Sequence, residues 1–292
     1  MNDNEFLVSE FEAHRGHLRA VAYRMLGSLP EAEDAVQETW LKVAAAYTDE
    51  IANIGGWFTT VTSRVCLNML RSRRTRNEEP LEIVHVPDPI VAPLHSDDDP
   101  ESQAVLADSV SVALLVVLET LTPSERLAFV LHDLFAMPFD EVAPIVGKTP
   151  AAARKLASRA RVRVQGGTPR STQPAEQRRV VEAFLAAAQG GDLEALLRVL
   201  DPDVVLRNDT APGKQPLELV GAQQVGRGAI IYRRANARSQ MVRVNGGFGV
   251  LSFDGGAVSA IAAFTVADGR VVAMNIISDP ERLARIDFSD VV

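Results

Sequence analysis

Cysteine is nearly absent: Cys66 is the one cysteine in 292 residues, so no internal disulfide can form and burial must hold the fold. It stands in the apolar stretch Val65-Cys66-Leu67, a setting for core filler rather than for a nucleophile. Histidine is scarce too. His14, His17, His85, His95 and His132 are the only ones, and none follows His132, which removes histidine acid–base chemistry from the later part of the chain. No apolar run approaches the ~18–20 residues that cross a bilayer. The first residues, Met1-Asn2-Asp3-Asn4-Glu5, are acidic, unlike a secretion signal. These absences predict a cytoplasmic globular protein that is not membrane-inserted, with no cofactor and no metal. The last absence is local: no Asp or Glu occurs from Val142 to Ala175, although the chain carries a net charge of −8.

What fills that acid-free window is Lys148, Arg154, Lys155, Arg159, Arg161, Arg163 and Arg170. Thr149-Pro150-Ala151-Ala152-Ala153-Arg154-Lys155 reads as a helix start with a Thr cap and Pro in the first turn, followed by a cationic face suited to a phosphate backbone. Upstream, Phe139 to Val146 reads as a short helix and Gly147-Lys148-Thr149 as a turn. Together they spell helix-turn-helix. A basic, alanine-rich helix serves equally well as a solvated face. Its neighbour tips the balance: Thr122-Pro123-Ser124-Glu125 is a capping box opening a helix with Leu127, Val130, Leu131 and Leu134 on one face.

The sequence divides into blocks. Residues 1–80 are helical almost throughout. Residues 81–103, with Pro87, Pro89, Pro93 and Pro100 and the run Asp97-Asp98-Asp99, read as an extended linker rather than a packed element. Residues 104–165 are helical again and hold the helix-turn-helix, and 166–174 form a second linker. Residues 175–292 differ in kind. Two helices, 175–189 and 193–200, precede strand-like segments at 204–207, 241–244, 249–253, 258–266 and 271–277, with Asp254-Gly255-Gly256 and Asp268-Gly269 as hairpin turns. The expected fold is multidomain: two all-α domains and a C-terminal α+β domain with a mostly antiparallel sheet.

In the first block Ser28-Leu29-Pro30-Glu31 reads as a capping box, and Val36, Trp40, Val43 and Tyr47 form a buried stripe. The opposite face carries Asp34, Gln37, Glu38 and Leu41. By charge pattern alone that face is simply solvated. Its wording says more: Glu33-Asp34-Ala35-Val36-Gln37-Glu38-Thr39-Trp40-Leu41-Lys42 resembles the core-polymerase-binding segment of bacterial sigma factors of the extracytoplasmic-function (ECF) type. The resemblance implies promoter DNA and core RNA polymerase, through its beta-prime and beta subunits, as partners. It implies Asp34, Ala35, Val36, Gln37, Glu38 and Leu41 as the polymerase-binding residues. Gly56 to Arg74 is similar to the family's promoter-melting and minus-ten-reading helices, with Trp57, Thr60, Arg64 and Asn68 as pocket and Arg71, Arg73 and Arg74 as charge. Unstacked bases held against aromatic walls, with phosphates met by Arg, suit that composition. Thr122 to Val164 resembles the domain that reads the minus-thirty-five element. Base readout then falls to Thr149, Arg154, Lys155 and Ser158, phosphate contact to Arg159, Arg161 and Arg163, and close approach to the groove to Ala151, Ala152 and Ala153. Pro144 departs from the family pattern, since an internal proline removes a helix hydrogen bond.

Ala183 to Val205 resembles the opening of SnoaL-like domains, cone-shaped α+β folds that include cyclases and ketosteroid isomerases. Sigma factors with such an extension form a SigJ-like subgroup, in which it is thought to contact the sigma domains and their linker. Here the linker motif is His85-Val86-Pro87-Asp88-Pro89, where the subgroup commonly has Trp-Leu-Pro-Glu-Pro, and the tail motif is Asp279-Pro280-Glu281-Arg282-Leu283. Pro87, Asp88, Pro89, Asp279, Pro280 and Leu283 are the implied contact residues. Asp209 with Tyr232 is the available acid–base pair, but Asp209 reads as a loop residue beside Pro212, and fold analogy does not transfer catalysis. The chain is expected not to be an enzyme. Whether the extension takes a small ligand stays open. Two other readings keep the helix-turn-helix: a ligand-responsive regulator that needs no polymerase, against which Asp34 to Lys42 speaks, and an isomerase or cyclase fused to a DNA-binding module.

Overall fold

The computed structural model describes residues 3–47, 51–76, 86–94, 110–167, 172–209, 217–232 and 238–291. The chain forms two compact units, Met1–Val84 with Val117–Gly167, and His85–Val116 with Thr168–Val292.

The first unit begins with α1 (Asp3–Leu26), α2 (Leu29–Ala46) and α3 (Ile54–Arg76). Gly27 closes α1 in the left-handed region (φ 71°), which glycine enters without steric cost. Leu7, Phe11 and Leu18 of α1, Val36 and Val43 of α2 and Phe58 of α3 form one core cluster. The Phe11 ring meets Phe58 edge-on at 5.3 Å and Trp40 at 5.1 Å. The capping box expected at Ser28 does not form. Ser28 has the extended backbone of a cap but makes no side-chain cap bond, and Glu31 instead forms a salt bridge with Arg73 of α3. A charge-assisted bond to guanidinium is about twice as strong as a neutral one, so the carboxylate goes there.

The same unit holds the end of α4 (Val112–Glu119), then α5 (Pro123–Phe129), a single π turn (Val130–Leu134), α6 (Phe139–Val146) and α7 (Pro150–Gly167). At Thr122 the capping box is complete: the Thr122 hydroxyl accepts from the Glu125 amide at 3.3 Å, and the Glu125 carboxylate accepts from the Thr122 amide at 3.2 Å. Gly147 ends α6 with φ 68°, and the Thr149 hydroxyl accepts from the Ala152 amide at 3.3 Å to cap α7. Pro144 lies on the exposed side of α6 and the helix continues through it. Ala153, Ala157 and Ala160 are fully buried and let α7 lie close on α5. This corrects the expectation for Ala153: the side chain is spent on packing and cannot approach a groove, whereas Ala151 is exposed.

In the second unit β1 (Val91–Ala92), β2 (Leu200–Asp209), β3 (Leu217–Val220), β4 (Ser239–Val244), β5 (Gly247–Asp254), β6 (Ala257–Ala267) and β7 (Arg270–Ile277) form one sheet in the order β1-β4-β5-β6-β7-β2-β3. All pairings are antiparallel except β2 with β7. Helices α8 (Pro174–Gly190), α9 (Leu193–Val199) and α10 (Ala222–Tyr232) bury Val181, Phe184, Leu196 and Val225 with Leu200, Phe248 and Met274 of the sheet. A short α11 (Pro280–Leu283) follows β7. The unit has the α+β architecture with a mostly antiparallel sheet that the sequence predicts.

Part of the expected linker is not free chain. Val91 and Ala92 pair with Val244 and Arg243, and the Asn245 side chain accepts from the Ile90 amide at 2.9 Å while its amide group donates to the Val110 carbonyl at 2.9 Å. Pairing at a sheet edge satisfies backbone groups that a proline-rich segment cannot satisfy internally.

Candidate polymerase and DNA interfaces

On α2 the helical period sends Ala35, Val36, Thr39 and Val43 into the core and leaves Asp34, Gln37, Glu38 and Leu41 in solvent. Leu41 is 69% exposed, which is unusual for so large an apolar side chain, and Glu38 pairs with Lys42 at 3.3 Å. Ala35 and Val36, at 0% and 1% exposure, drop out of the expected polymerase-binding set. The remaining face offers an apolar knob among carboxylates, suited to an apolar socket ringed by cations.

On α3 Trp57, Thr60, Arg64, Asn68 and Arg71 follow at helical spacing along one side. Trp57 is half-buried, its ring 5.7 Å from Phe58 and 6.5 Å from Tyr47, so one part packs and another stays open. The Thr60 hydroxyl donates to the Gly56 carbonyl at 2.9 Å. Arg64, Asn68 and Arg71 are exposed. Arg73 belongs to a different set: besides Glu31 it donates to the Leu26 carbonyl at 3.3 Å, which ties α3 to the α1–α2 corner. The Arg74 side chain lies outside the described residues.

Thr149 at the cap of α7 and Arg154, Lys155 and Ser158 in its first three turns are all exposed. The later arginines face acids: Arg161 meets Asp133 at 2.5 Å, Arg163 meets Glu125 at 2.9 Å and Arg159 stands 3.8 Å from the same carboxylate. Burial alone would push the Glu125 carboxyl up. Hydrogen bonds from Thr122 and the charges of Arg163 and Arg159 hold it below the usual carboxylate range instead. The acids that face these arginines come from the preceding helical segment, outside the acid-free window, so the local sequence gives no sign of them. Burial pushes the Cys66 thiol up to about 12, which leaves it un-ionised and inert.

In the second unit Arg282 is a hub. Its Nη2 donates to Asp88 at 2.5 Å and to the Val86 carbonyl at 2.7 Å, and its Nη1 pairs with Asp209. The three side chains are 12–17% exposed. Asp209 is therefore not a loop residue. It ends β2, opposite Ile277, and its charge is already matched by a guanidinium. Tyr232, at the end of α10, is 62% exposed. Asp279 caps α11 by accepting from the Glu281 amide at 2.9 Å, Pro280 occupies the first helical position and Leu283 is buried. Val86, Pro87 and Pro89 lie with Val112 against Ile261, Ala263, Asn275 and Ile277 of the sheet. Among the described residues no Cys, His, Asp and Glu cluster could hold a metal, and no helix is long and apolar enough to cross a membrane.

Residues 11–76 match the Sigma-70 region 2 family model and residues 111–164 the Sigma-70 region 4 model, so the matched segments contain the α2 and α3 faces and the helix-turn-helix. The chain is 35% identical to the probable ECF RNA polymerase sigma factor SigI of Mycobacterium tuberculosis (strain CDC 1551 / Oshkosh), over 97% of each protein. It is 40% identical to the ECF RNA polymerase sigma factor SigJ of Mycobacterium tuberculosis (strain ATCC 25618 / H37Rv), over 94% of this chain and 92% of that one. The crystal structure of Mycobacterium tuberculosis SigJ superposes with a TM-score of 0.71 at 37% identity, covering 96% of this chain and 99% of that one. Full-length similarity at this level, added to the two matched regions, places the C-terminal extension inside the shared architecture. The chain belongs to the ECF sigma factors, the alternative sigma factors that bind core RNA polymerase and direct it to promoters.

Proposed function

We propose that this sigma factor engages the beta-prime subunit of core polymerase, and with it the beta subunit, through Asp34, Gln37, Glu38 and Leu41. The observation that carries this is the separation of α2 into a packed stripe and an acidic face centred on an exposed leucine. Carboxylates at the rim speed encounter with a basic partner and exclude wrong ones, while the exposed leucine supplies affinity once the partner covers it. The minus-ten element is captured along Trp57, Thr60, Arg64, Asn68 and Arg71, where a half-open indole offers a stacking wall and Arg64 and Arg71 offer charge. The minus-thirty-five element is read by Thr149, Arg154, Lys155 and Ser158 on the first turns of α7, the end that a helix-turn-helix presents to base edges.

The chain acts without chemistry of its own, in keeping with an Asp209 tied up by Arg282. The SnoaL-like domain modulates activity by holding the linker through Pro87, Asp88 and Pro89 against the tail that runs from Asp279 and Pro280 to Leu283. Docked and released linker are two states, and transcription follows their populations. The test is co-purification with core polymerase followed by run-off transcription. Wild type should assemble and initiate, and a charge-reversed Asp34→Lys, Glu38→Lys variant should do neither while remaining folded. Retention of core enzyme by that variant would refute the interface.

A further inference from the structure

Arg154 leads the proposed minus-thirty-five surface, and its guanidinium stands over a ring of the preceding helix. Phe139, the first residue of α6, is half-buried, and its ring stacks on the His132 imidazole with centroids 3.7 Å apart and planes inclined by 25°. His132 is itself fixed, its Nδ1 lying 2.9 Å from the Met137 carbonyl oxygen. Over the same Phe139 ring stands the Arg154 guanidinium carbon, 5.6 Å from the centroid. Three segments of the motif, the π turn, α6 and α7, thus meet in one stack. An arginine loses much rotamer freedom on ordering, and bidentate reading of guanine demands a fixed guanidinium plane. An aromatic face attracts the cation and limits its orientations before DNA arrives.

We propose that Phe139 is a positioning residue for promoter discrimination: it pre-orients Arg154, with His132 as the backing that keeps the ring in place, and touches no DNA itself. This rests on the reading of Arg154 as a base contact. The experiment measures equilibrium binding of holoenzyme, reconstituted with the full chain, to promoter duplexes carrying each base pair at every minus-thirty-five position. Arg154→Ala identifies the position it reads by collapsing discrimination there about 5- to 150-fold. Phe139→Leu and Phe139→Met, two apolar replacements without a ring, should lower discrimination at that position alone by about two- to five-fold, the range of an exposed cation–π contact. The slope of affinity against salt should stay at the wild-type value, because no phosphate contact is lost. Phe139→Tyr, which keeps the ring, should restore discrimination. An equal loss at every position, a failure of Tyr to rescue, or wild-type discrimination in both apolar variants would make Phe139 a packing residue and overturn the inference. If Arg154→Ala itself leaves discrimination intact, the base-reading assignment falls first and the positioning role falls with it.

Discussion

Arg282→Ala should release the linker from the C-terminal α+β domain without unfolding that domain. In the wild type one guanidinium, 12% exposed, serves two carboxylates at 14% and 17% exposure, Asp88 and Asp209, and also holds the Val86 carbonyl. Removing it leaves two poorly solvated like charges sharing one site. Breaking a buried pair by deleting one partner costs ~3–5 kcal/mol, much of it the desolvation of what remains. The system has an escape. Asp209 is fixed in β2, between β3 and β7, but Asp88 lies on a segment whose strand, β1, is two residues long. Undocking the linker rehydrates Asp88 at the expense of the Val86 contacts and the Val91–Ala92 pairing, so the strain appears as a shift toward the released state. At ~1.4 kcal/mol per decade that is roughly 150- to 5,000-fold in the docking equilibrium. Hydrogen exchange reads it directly: the Ile90 amide, which donates to Asn245, should lose protection by about that factor, while amides in β5 and β6 keep theirs. Run-off transcription should change in parallel. The double variant Arg282→Ala, Asp88→Ala removes the like-charge conflict and should recover part of the protection. Unchanged protection at Ile90 in the single variant would show that apolar contact alone holds the linker, and would refute the hub.

Three other outcomes are expected. Asp34→Lys with Glu38→Lys should alter stability by no more than ~0.5 kcal/mol, both residues being exposed, while abolishing holoenzyme assembly in a pull-down; a melting temperature that falls sharply would contradict the exposed placement. Glu125 has a folded pKa below its unfolded value, so its stabilisation is present above the unfolded pKa and lost as pH falls through the folded one; Glu125→Gln, which can still cap α5, should flatten the decline in stability between about pH 5 and 3 measured by urea titration. Cys66, with its thiol at about 12, should resist a thiol reagent at pH 8 in the native protein and react at once in denaturant.

Order and type of the larger elements were legible because periodicity records burial. The stripe through Val36 and Val43, the capping box at Thr122 and the Asp268-Gly269 turn, with φ 49° and 72°, all depend on neighbours close in sequence. The misses depend on distance. Ser28 and Glu31 satisfy the capping pattern, yet Arg73, on another helix, claims the carboxylate. Helix α10 carries two glycines in eleven residues, which local propensity marks against, and exists because Val225 and Gly226 pack under the sheet. Asn245-Gly246 is a local signal of another kind: both residues have positive φ, 48° and 74°, and make the tight hairpin between β4 and β5. For the candidate site residues, the sequence names segments and not faces. Ala35, Val36 and Ala153 sit within segments of matching wording and point inward, because wording does not record which side of a helix is buried.

The same distinction reorganises the basic helix. Counted along the sequence, Arg154, Lys155, Arg159, Arg161 and Arg163 are five cations in ten residues. Counted in space, the last three stand within 4 Å of Glu125 or Asp133, so the excess charge gathers at Arg154 and Lys155, with Lys148 of the turn, around the Thr149 cap. Each phosphate neutralised contributes ~0.9 to the salt slope, and these three cations give only a modest attraction to free duplex, opposed by a net charge of −8 over the whole chain. An isolated helix-turn-helix regulator needs more charge than this to hold DNA alone. A subunit that meets promoters together with polymerase does not, and the internal acids then serve a second end by fixing α7 on α5 as a rigid frame under the proposed reading face.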